Sequence, residues 1–581
     1  MANKRLFQSA LPGATLPDTD AVNAAGGRAY ARSDKATLAQ YAVTGCLAST
    51  YYSKDEDQLK ITLELAEKVD SQFLAQTAIY AREQGYLKDM PALLTAILFG
   101  RTKTDPGARL HFVAAFGRCI DNGKMLKNFV QIVRSGVVGR KSVAASSLKK
   151  LIQKWFDGHT DEQLIFQSIG NDPSLADVIR MARVNPRTPS RRALFKYLTK
   201  LDVGAKDVAY GYDASALPQL LKDYEAWKAS TKGARPGKPP KVPFQLLTSL
   251  DLSKSDWEQI AKDASWTQTR MNLNSFLKRG VFDNKKTIDL VADRLRDRGL
   301  IQKTKVFPYQ LMTAYNYTSR QPGMPQKITL ALQQALDISL ENIPAIAGQV
   351  VLAPDMSGSM GAAVTGNRNT NASGAGALAR RGRASGATTV VACREVAALI
   401  TAAFLRKMPE TVILPFSNRV DLVRLNPLDS VATNAQILSR LPSGGTDCSL
   451  PLAYLNQNNV KADLVIYVSD YESWMDSQGA TQHRYGWAPN EVRGASGLMV
   501  EWRKFKKRNP KARLVCVDLQ PSPTGQVIVE EDILSIGGWS DVCFKLIADF
   551  ASGGNTGDGW VKRIEAQPLF ETGGPAPHAA P

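Results

Sequence analysis

The run Val350-Val351-Leu352-Ala353-Pro354-Asp355-Met356-Ser357-Gly358-Ser359 carries the most evident chemistry in this sequence. An apolar stretch with strand character ends in an acid and two serines spaced Asp-x-Ser-x-Ser. An open α/β sheet presents its ligand site at the carboxyl ends of its strands, so Asp355, Ser357 and Ser359 would meet there. One carboxylate and two hydroxyls are hard oxygen donors, the set that Mg²⁺ selects. The same residue types also make ordinary turns, and on this stretch alone both readings stand. Residues downstream support a site. Leu441–Asp447 is a loop that carries Thr446, and Ala462–Ser469 (ADLVIYVS) reads as a buried parallel strand delivering Asp470 just past its end. Asp355, Ser357, Ser359, Thr446 and Asp470 are therefore expected on neighbouring loops of one sheet edge.

This set resembles the metal-ion-dependent adhesion site of von Willebrand factor A domains. The resemblance implies that Asp355, Ser357, Ser359 and Thr446 contact a divalent cation, Mg²⁺ first among candidates, directly or through water, and that Asp470 completes the shell. Hydrolytic apparatus is missing from the pattern. The four histidines, His111, His159, His483 and His578, show no metalloprotease spacing, and neither a nucleophile elbow nor a phosphate-cradling GxxxxGK[ST] loop is present. A non-enzymatic chain is expected.

The elements that must hold this site divide the chain in two. At 581 residues it exceeds what one core supports, and 44% hydrophobic with 22% charged residues is a globular composition. Residues 1–25 read as a flexible arm. From 26 to 345, apolar residues at i, i+3, i+4 spacing predict many short helices, too small to bury their faces alone and so stacked as hairpins. From 346 to 550 strands and helices alternate, predicting a doubly wound, mostly parallel sheet. Its strands are expected at Gln349–Pro354, Thr411–Phe416, Leu464–Ser469 and Ala512–Asp518, and its helices include Leu450–Gln457. Residues 361–389 form a Gly/Ala/Ser/Arg insert, and 551–581 read as a flexible tail. The six cysteines show no CxxC pairing and the longest aliphatic run, Val390–Leu405, is broken by Arg394 and Glu395. The expectation is a cytoplasmic protein with reduced thiols and no membrane association.

The formal net charge of +19 favours an anionic partner, nucleic acid or an acidic membrane surface. The basic residues gather in two clusters: Arg134, Arg140, Lys141, Lys149, Lys150 and Lys154, then Arg180, Arg183, Arg187, Arg191, Arg192, Lys196 and Lys200. Arg183-Val184-Asn185-Pro186-Arg187-Thr188-Pro189 places arginines on a proline-stiffened turn. Guanidinium forks suit phosphates, and several together make a salt-sensitive nucleic-acid footprint; a solvated charged face is the other reading.

The order of these features is similar to the Ro60 family of TROVE-domain RNA-binding proteins. Tyr51-Tyr52 resembles its early TYY segment, Arg140–Phe156 its basic helix, and Leu175–Pro186 (LADVIRMARVNP) its HxKP-type turn. Gly444–Pro451 (GGTDCSLP) is close to a family segment, and Ser469–Ser473 resembles its [ST]DNE[ST], with Tyr471 in place of asparagine. Arg183 stands where the family has the HxKP histidine and Asn185 where it has lysine. The resemblance implies a ring of HEAT-like helical repeats closed by a von Willebrand A domain. It also implies binding of a small structured noncoding (Y-like) RNA on the outer basic surface and of the 3′ ends of misfolded RNAs in the central hole. Arg380, Arg381 and Arg383 of the insert would then lie within reach of RNA. A monomer is expected, with an exoribonuclease or another protein docking through the RNA or the metal site. A metal-dependent protein-adhesion adaptor is the competing expectation.

Overall fold

The computed structural model describes residues 16–45, 54–170, 173–199, 214–230, 238–304, 306, 308–341, 343–364, 391–474, 494–538, 541–554 and 559–570. Tyr51-Tyr52, Lys200, residues 365–390 of the insert region with Arg380, Arg381 and Arg383, and the ends 1–15 and 571–581 lie outside them.

From Asp34 to Ser339 the described elements are helices, most of them separated by a few residues. Their starts are set by side-chain caps. Asp70 accepts from Phe73 N, and Thr160, Ser174, Ser253 and Ser265 each form a reciprocal capping box with the residue three positions on. Each helix is too short to stand alone in water, so neighbours bury one another's apolar faces. Ser71–Glu83 packs on Asp89–Arg101 and Ala108–Cys119, and Asp89–Arg101 packs on Gly123–Ser135. Phe99, Phe112, Phe116 and Phe129 meet between these helices with ring centroids 5.2 to 6.3 Å apart.

The second half holds a parallel sheet of β3 (Val350–Pro354), β4 (Val412–Ile413), β5 (Leu464–Ser469), β6 (Arg513–Asp518) and β8 (Ile533–Gly537), in the order β4-β3-β5-β6-β8. Alternate residues divide between its two faces. Leu352, Ile466, Val515 and Ile536 pack into a core continuous with that of the helical region. Val351, Val465, Leu514 and Ile533 pack with Leu452, Trp502 and Phe505 in a separate core. The strand expected over Thr411–Phe416 is shorter as regular structure. Leu414 N and Phe416 N still bond to Leu352 O and Pro354 O, but Pro415 between them has no N–H to offer.

Both ends of the helical region rest on this α/β domain. Asp34–Thr44 packs on β8, while Pro308–Thr318 and Gln326–Ser339 pack on Cys393–Lys407 and Val431–Ser439. The architecture is a helical-repeat ring closed by a doubly wound domain. Among the described residues no helix is long and apolar enough to cross a membrane, and Cys119, Cys393, Cys448, Cys516 and Cys543 are buried and unlinked.

Two segments differ from expectation. Residues 16–25, read as part of a loose arm, lie along the α/β domain with β1 (Ala21–Val22) and β2 (Arg28–Ala31), and β2 pairs with β7 (Thr524–Gly525). Asn23 Nδ2 donates to Ser473 O at 2.7 Å and Ala25 N to Glu472 Oε2 at 3.2 Å. The tail read as flexible from Ala551 contains the helix Gly559–Glu565, which packs on Ser71–Glu83, with Lys35 Nζ 2.6 Å from Glu565. Polar, Gly- and Pro-containing composition described the ends locally; what orders them are partners hundreds of residues away. At Gly27 an added Cβ would sit 1.8 Å from Ser473 O. Gly27→Ala is therefore expected to lift this N-terminal strap and lower stability by about 1–3 kcal/mol. Urea midpoints and limited proteolysis of residues 16–31 check it, and unchanged values in both would contradict the close approach.

Candidate metal centre and basic surface

In a parallel sheet, the crevice for a ligand opens where strand order reverses. Here the reversal falls between β3 and β5, because the chain crosses from β3 to β4 on one side and returns to β5 on the other. Asp355 comes directly after β3 and Asp470 directly after β5, so both acids stand at this point. Asp355, Ser357, Ser359, Thr446 and Asp470 are all buried. Ser357 N donates to Asp355 Oδ1 at 2.7 Å, and the Ser357 and Ser359 hydroxyls lie 3.2 Å apart. Gly358 N bonds to Gly444 O at 3.0 Å, which draws the Thr446 loop against the Asp-x-Ser-x-Ser turn. Thr446 O accepts from Trp474 N and Ser473 Oγ, tying the same loop to the segment after Asp470.

The charge at this edge is unbalanced. Burial pushes the Asp355 carboxyl up, against hydrogen bonds from Ser469 and Ser357 and the field of Arg394. Burial raises Asp470 well above the usual carboxylate range, and the neighbouring Asp355 and Glu472 charges add to it. Asp470 Oδ2 is buried without a hydrogen-bond partner. Asp518, at the end of β6, has its neutraliser in place: Arg32 from the N-terminal strap lies 2.8 Å away. A buried carboxylate with a free oxygen, beside a second carboxylate and hydroxyls, is a donor set that suits a hard divalent cation. Ser469, which donates to Asp355 Oδ2 at 2.6 Å, and half-buried Arg394 belong to this edge and were not singled out from sequence. Ser469 had a readable signal, standing directly before Asp470 at the strand end. Tyr471 adopts φ +54°, left-handed backbone that asparagine enters more easily than tyrosine.

The basic clusters lie on three helices and the segments beside them. Ser146–Asp157 buries Leu148, Ile152, Trp155 and Phe156 and turns Lys150, Gln153, Lys154 and Asp157 the other way. Leu175–Ala182 ends at Arg183, whose φ of +52° and ψ of +52° close the helix in a left-handed cap. Pro189–Thr199 comes after the turn. Lys141, Lys150, Lys154, Arg183, Arg187 and Arg192 are exposed. The Arg187 guanidinium reaches Asp157 at 3.5 Å, so the turn lies beside the first of these helices.

Other members of the clusters are used internally. Arg191 pairs with Asp161 and donates to Phe156 O at 2.8 Å and His159 O at 2.6 Å, with its side chain 13% exposed. Arg140 stacks over Phe99 at 4.6 Å and donates to Thr102. Arg180 donates to Thr199 O, while Lys149 and Lys196 are half-buried, Lys196 with an interaction of its own. Arg140, Arg180 and Arg191 thus fasten neighbouring segments together, a role that charge and spacing do not disclose.

The family model described as the Ro60 vWA domain matches residues 382–483. The RNA-binding protein RO60 of Deinococcus radiodurans is 22% identical over 483 residues, covering 79% of this chain and 84% of the relative. The protein of the same name from Caenorhabditis elegans is 29% identical over 237 residues, 39% of this chain and 33% of the relative. The crystal structure of the Deinococcus radiodurans Ro (RSR) protein superposes with a TM-score of 0.58 at 17% identity, over 90% of this chain and 100% of that one. The chain is Ro60-like. The likeness spans both halves, so the order of helical region and α/β domain is shared with the solved Ro structure.

The acids at the sheet edge of this Ro60-like chain set a pH dependence. Burial, with the charge of Asp518 nearby, pushes Glu472 up from 4.5 to about 7, and burial raises Asp518 from 3.8 to about 6 despite Arg32. A carboxyl whose folded pKa exceeds its unfolded value favours the folded state most at low pH, and that contribution fades as pH rises through the folded pKa. In chelator, melting temperature is expected to fall between pH 5.5 and pH 7.5, and Glu472→Gln should flatten the fall. Thermal scans of both proteins test this; a Gln variant with the same slope as the parent would contradict it.

Proposed function

We propose that this chain is a non-catalytic RNA-binding scaffold. It takes a small structured noncoding RNA, of Y-like type, on the surface formed by the Ser146–Asp157 helix and the Arg183–Pro189 turn. It admits single-stranded 3′ ends of misfolded RNA to the ring. The observation that carries this reading is a group of exposed, unpaired cations on one helix and the segments beside it. Among the described residues, Lys141, Lys150, Lys154, Arg183 and Arg192 have no anionic partner within ion-pair distance. Ion pairs of the later helices, Lys254 with Asp283 at 2.7 Å, Arg296 with Asp293 at 2.6 Å and Lys327 with Asp289 at 2.6 Å, neutralise part of the charge there. Concentrated unpaired cations on an already basic chain present the field a phosphate backbone answers. The names of the two relatives, RNA-binding protein RO60, support the same partner class. The combined change of Lys150, Lys154, Arg183 and Arg187 to glutamate is expected to weaken RNA binding at least about 100-fold and flatten its salt dependence. Filter binding across a salt series measures both, and an unaltered affinity would end this reading.

The second proposal is that Asp355, Ser357, Ser359, Thr446 and Asp470 hold Mg²⁺, with open positions for a carboxylate from a protein partner. The unpartnered Asp470 Oδ2 supports it. The ion would supply positive charge between two buried carboxylates, and these residues would fix its place. Millimolar Mg²⁺ is expected to raise the melting temperature by several degrees, consistent with stabilisation on the order of 2 kcal/mol when ligand is well above its dissociation constant. Asp470→Ala should abolish the response while leaving RNA affinity within twofold. No Mg²⁺ response in the parent protein would remove the metal from the account.

A further inference from the structure

Gln153 is a neutral side chain in the middle of the basic surface. It lies on the stripe of the Ser146–Asp157 helix that carries Lys150 and Lys154, and it is half-buried. Its amide makes a two-point pair with the backbone of one residue of the neighbouring turn. Asn185 N donates to Gln153 Oε1 at 2.8 Å, and Gln153 Nε2 donates to Asn185 O at 3.0 Å. The same Nε2 donates to Asp157 Oδ1 at 2.8 Å, which fixes the amide's orientation.

Asn185 is suited to this contact by what surrounds it. The residue before a proline is pushed toward extended backbone, and an extended residue turns its N–H and C=O to the same side, as a strand edge does. Pro186 offers no N–H of its own, and the closing bond of the preceding helix, Val184 N to Ile179 O at 3.1 Å, is spent upstream. Asn185 therefore has both backbone groups free at the point where Gln153 meets them. Arg183 stands two residues before this contact in left-handed backbone, and Arg187 stands two residues after it, 3.5 Å from Asp157.

We propose that Gln153 is a positioning residue for nucleic-acid binding: by clamping the Asn185 backbone it holds Arg183 and Arg187 beside Lys150 and Lys154, so that two basic clusters act as one phosphate-binding surface. The proposal rests on the RNA-binding reading of this surface. It adds a residue that carries no charge, and whose side-chain amide is already committed to protein partners. Without the clamp the arginines remain in place in the sequence but lose a fixed register against the lysines, and the ordering cost falls on the complex.

Gln153→Met keeps length and volume and removes all three hydrogen bonds. With a fluorescein-labelled RNA stem-loop bearing a single-stranded 3′ tail as probe, Gln153→Met in the full chain is expected to weaken binding about five- to tenfold, the scale of one or two net hydrogen bonds. The slope of log affinity against log salt should fall by about one to two, as contacts through Arg183 and Arg187 drop out. In an Arg183→Ala/Arg187→Ala background the same change should have no further effect, and this non-additivity is the readout a purely structural role would not produce. Hydrogen exchange of the 183–189 segment should quicken in Gln153→Met with the melting temperature unchanged within about 2 °C. Parent-like affinity in Gln153→Met, or a loss that adds in full to that of the double arginine variant, overturns the positioning role alone. A parent chain that does not bind the probe, or a double arginine variant with parent-like affinity, overturns the surface reading and this inference with it.

Discussion

A stack of short helices leaves an apolar face bare at each end, and in this chain one α/β domain covers both. Everything else in the architecture depends on that closure. The face of the sheet bearing Leu352, Ile466 and Val515 shares its core with the helices, so the domain is a structural member of the ring. The first helix docks at β8, where the amide of buried Gln40 would lie 2.2 Å from a Cβ added at Gly537. With β6 and β8 occupied in this way, the candidate metal residues fall at the carboxyl ends of β3 and β5.

Charge is distributed in two opposite excesses. At the sheet edge three buried aspartates close successive strands, and Arg32 answers only Asp518. On the helical surface several exposed lysines and arginines lack acids, while Arg140, Arg180 and Arg191 nearby are spent on carbonyls, a phenylalanine ring and Asp161. An uncompensated buried carboxylate calls for a small cation, and a dispersed cationic face calls for a large anion. In the proposed reading the two sites take ligands of different size and opposite sign, and they are built from different parts of the chain.

Much of this was legible in the amino-acid order. Leu464–Ser469 and Leu450–Gln457 stand within the expected bounds because a continuous apolar run and a proline near a helix start are local signals. Asp355, Ser357, Ser359 and Asp470 could be placed on one edge because the end of a strand fixes where the next few residues must stand, whereas Thr446 sits in a loop between two helices. Long-range partnership was not legible. Nothing local tells Arg191, which is packed against Phe156 O and Asp161, from Arg192, which faces solvent. Gln153 carries no charge, and its importance arises only because the chain brings Asn185 beside it. The strap and the terminal helix were missed because loop-like composition describes a segment's own preference and not the surface it lands on.

That strap has a consequence in time. Arg32 and Asp518 are separated by 486 positions, and Tyr30 pairs with Gly525. During synthesis at roughly 5–20 residues per second, the strap emerges on the order of a minute before its partners exist. The helical units in between make mostly near-neighbour contacts and can form as they appear. The strap is thus made early and seated late, fastened only when Asp518 and Gly525 come back to it.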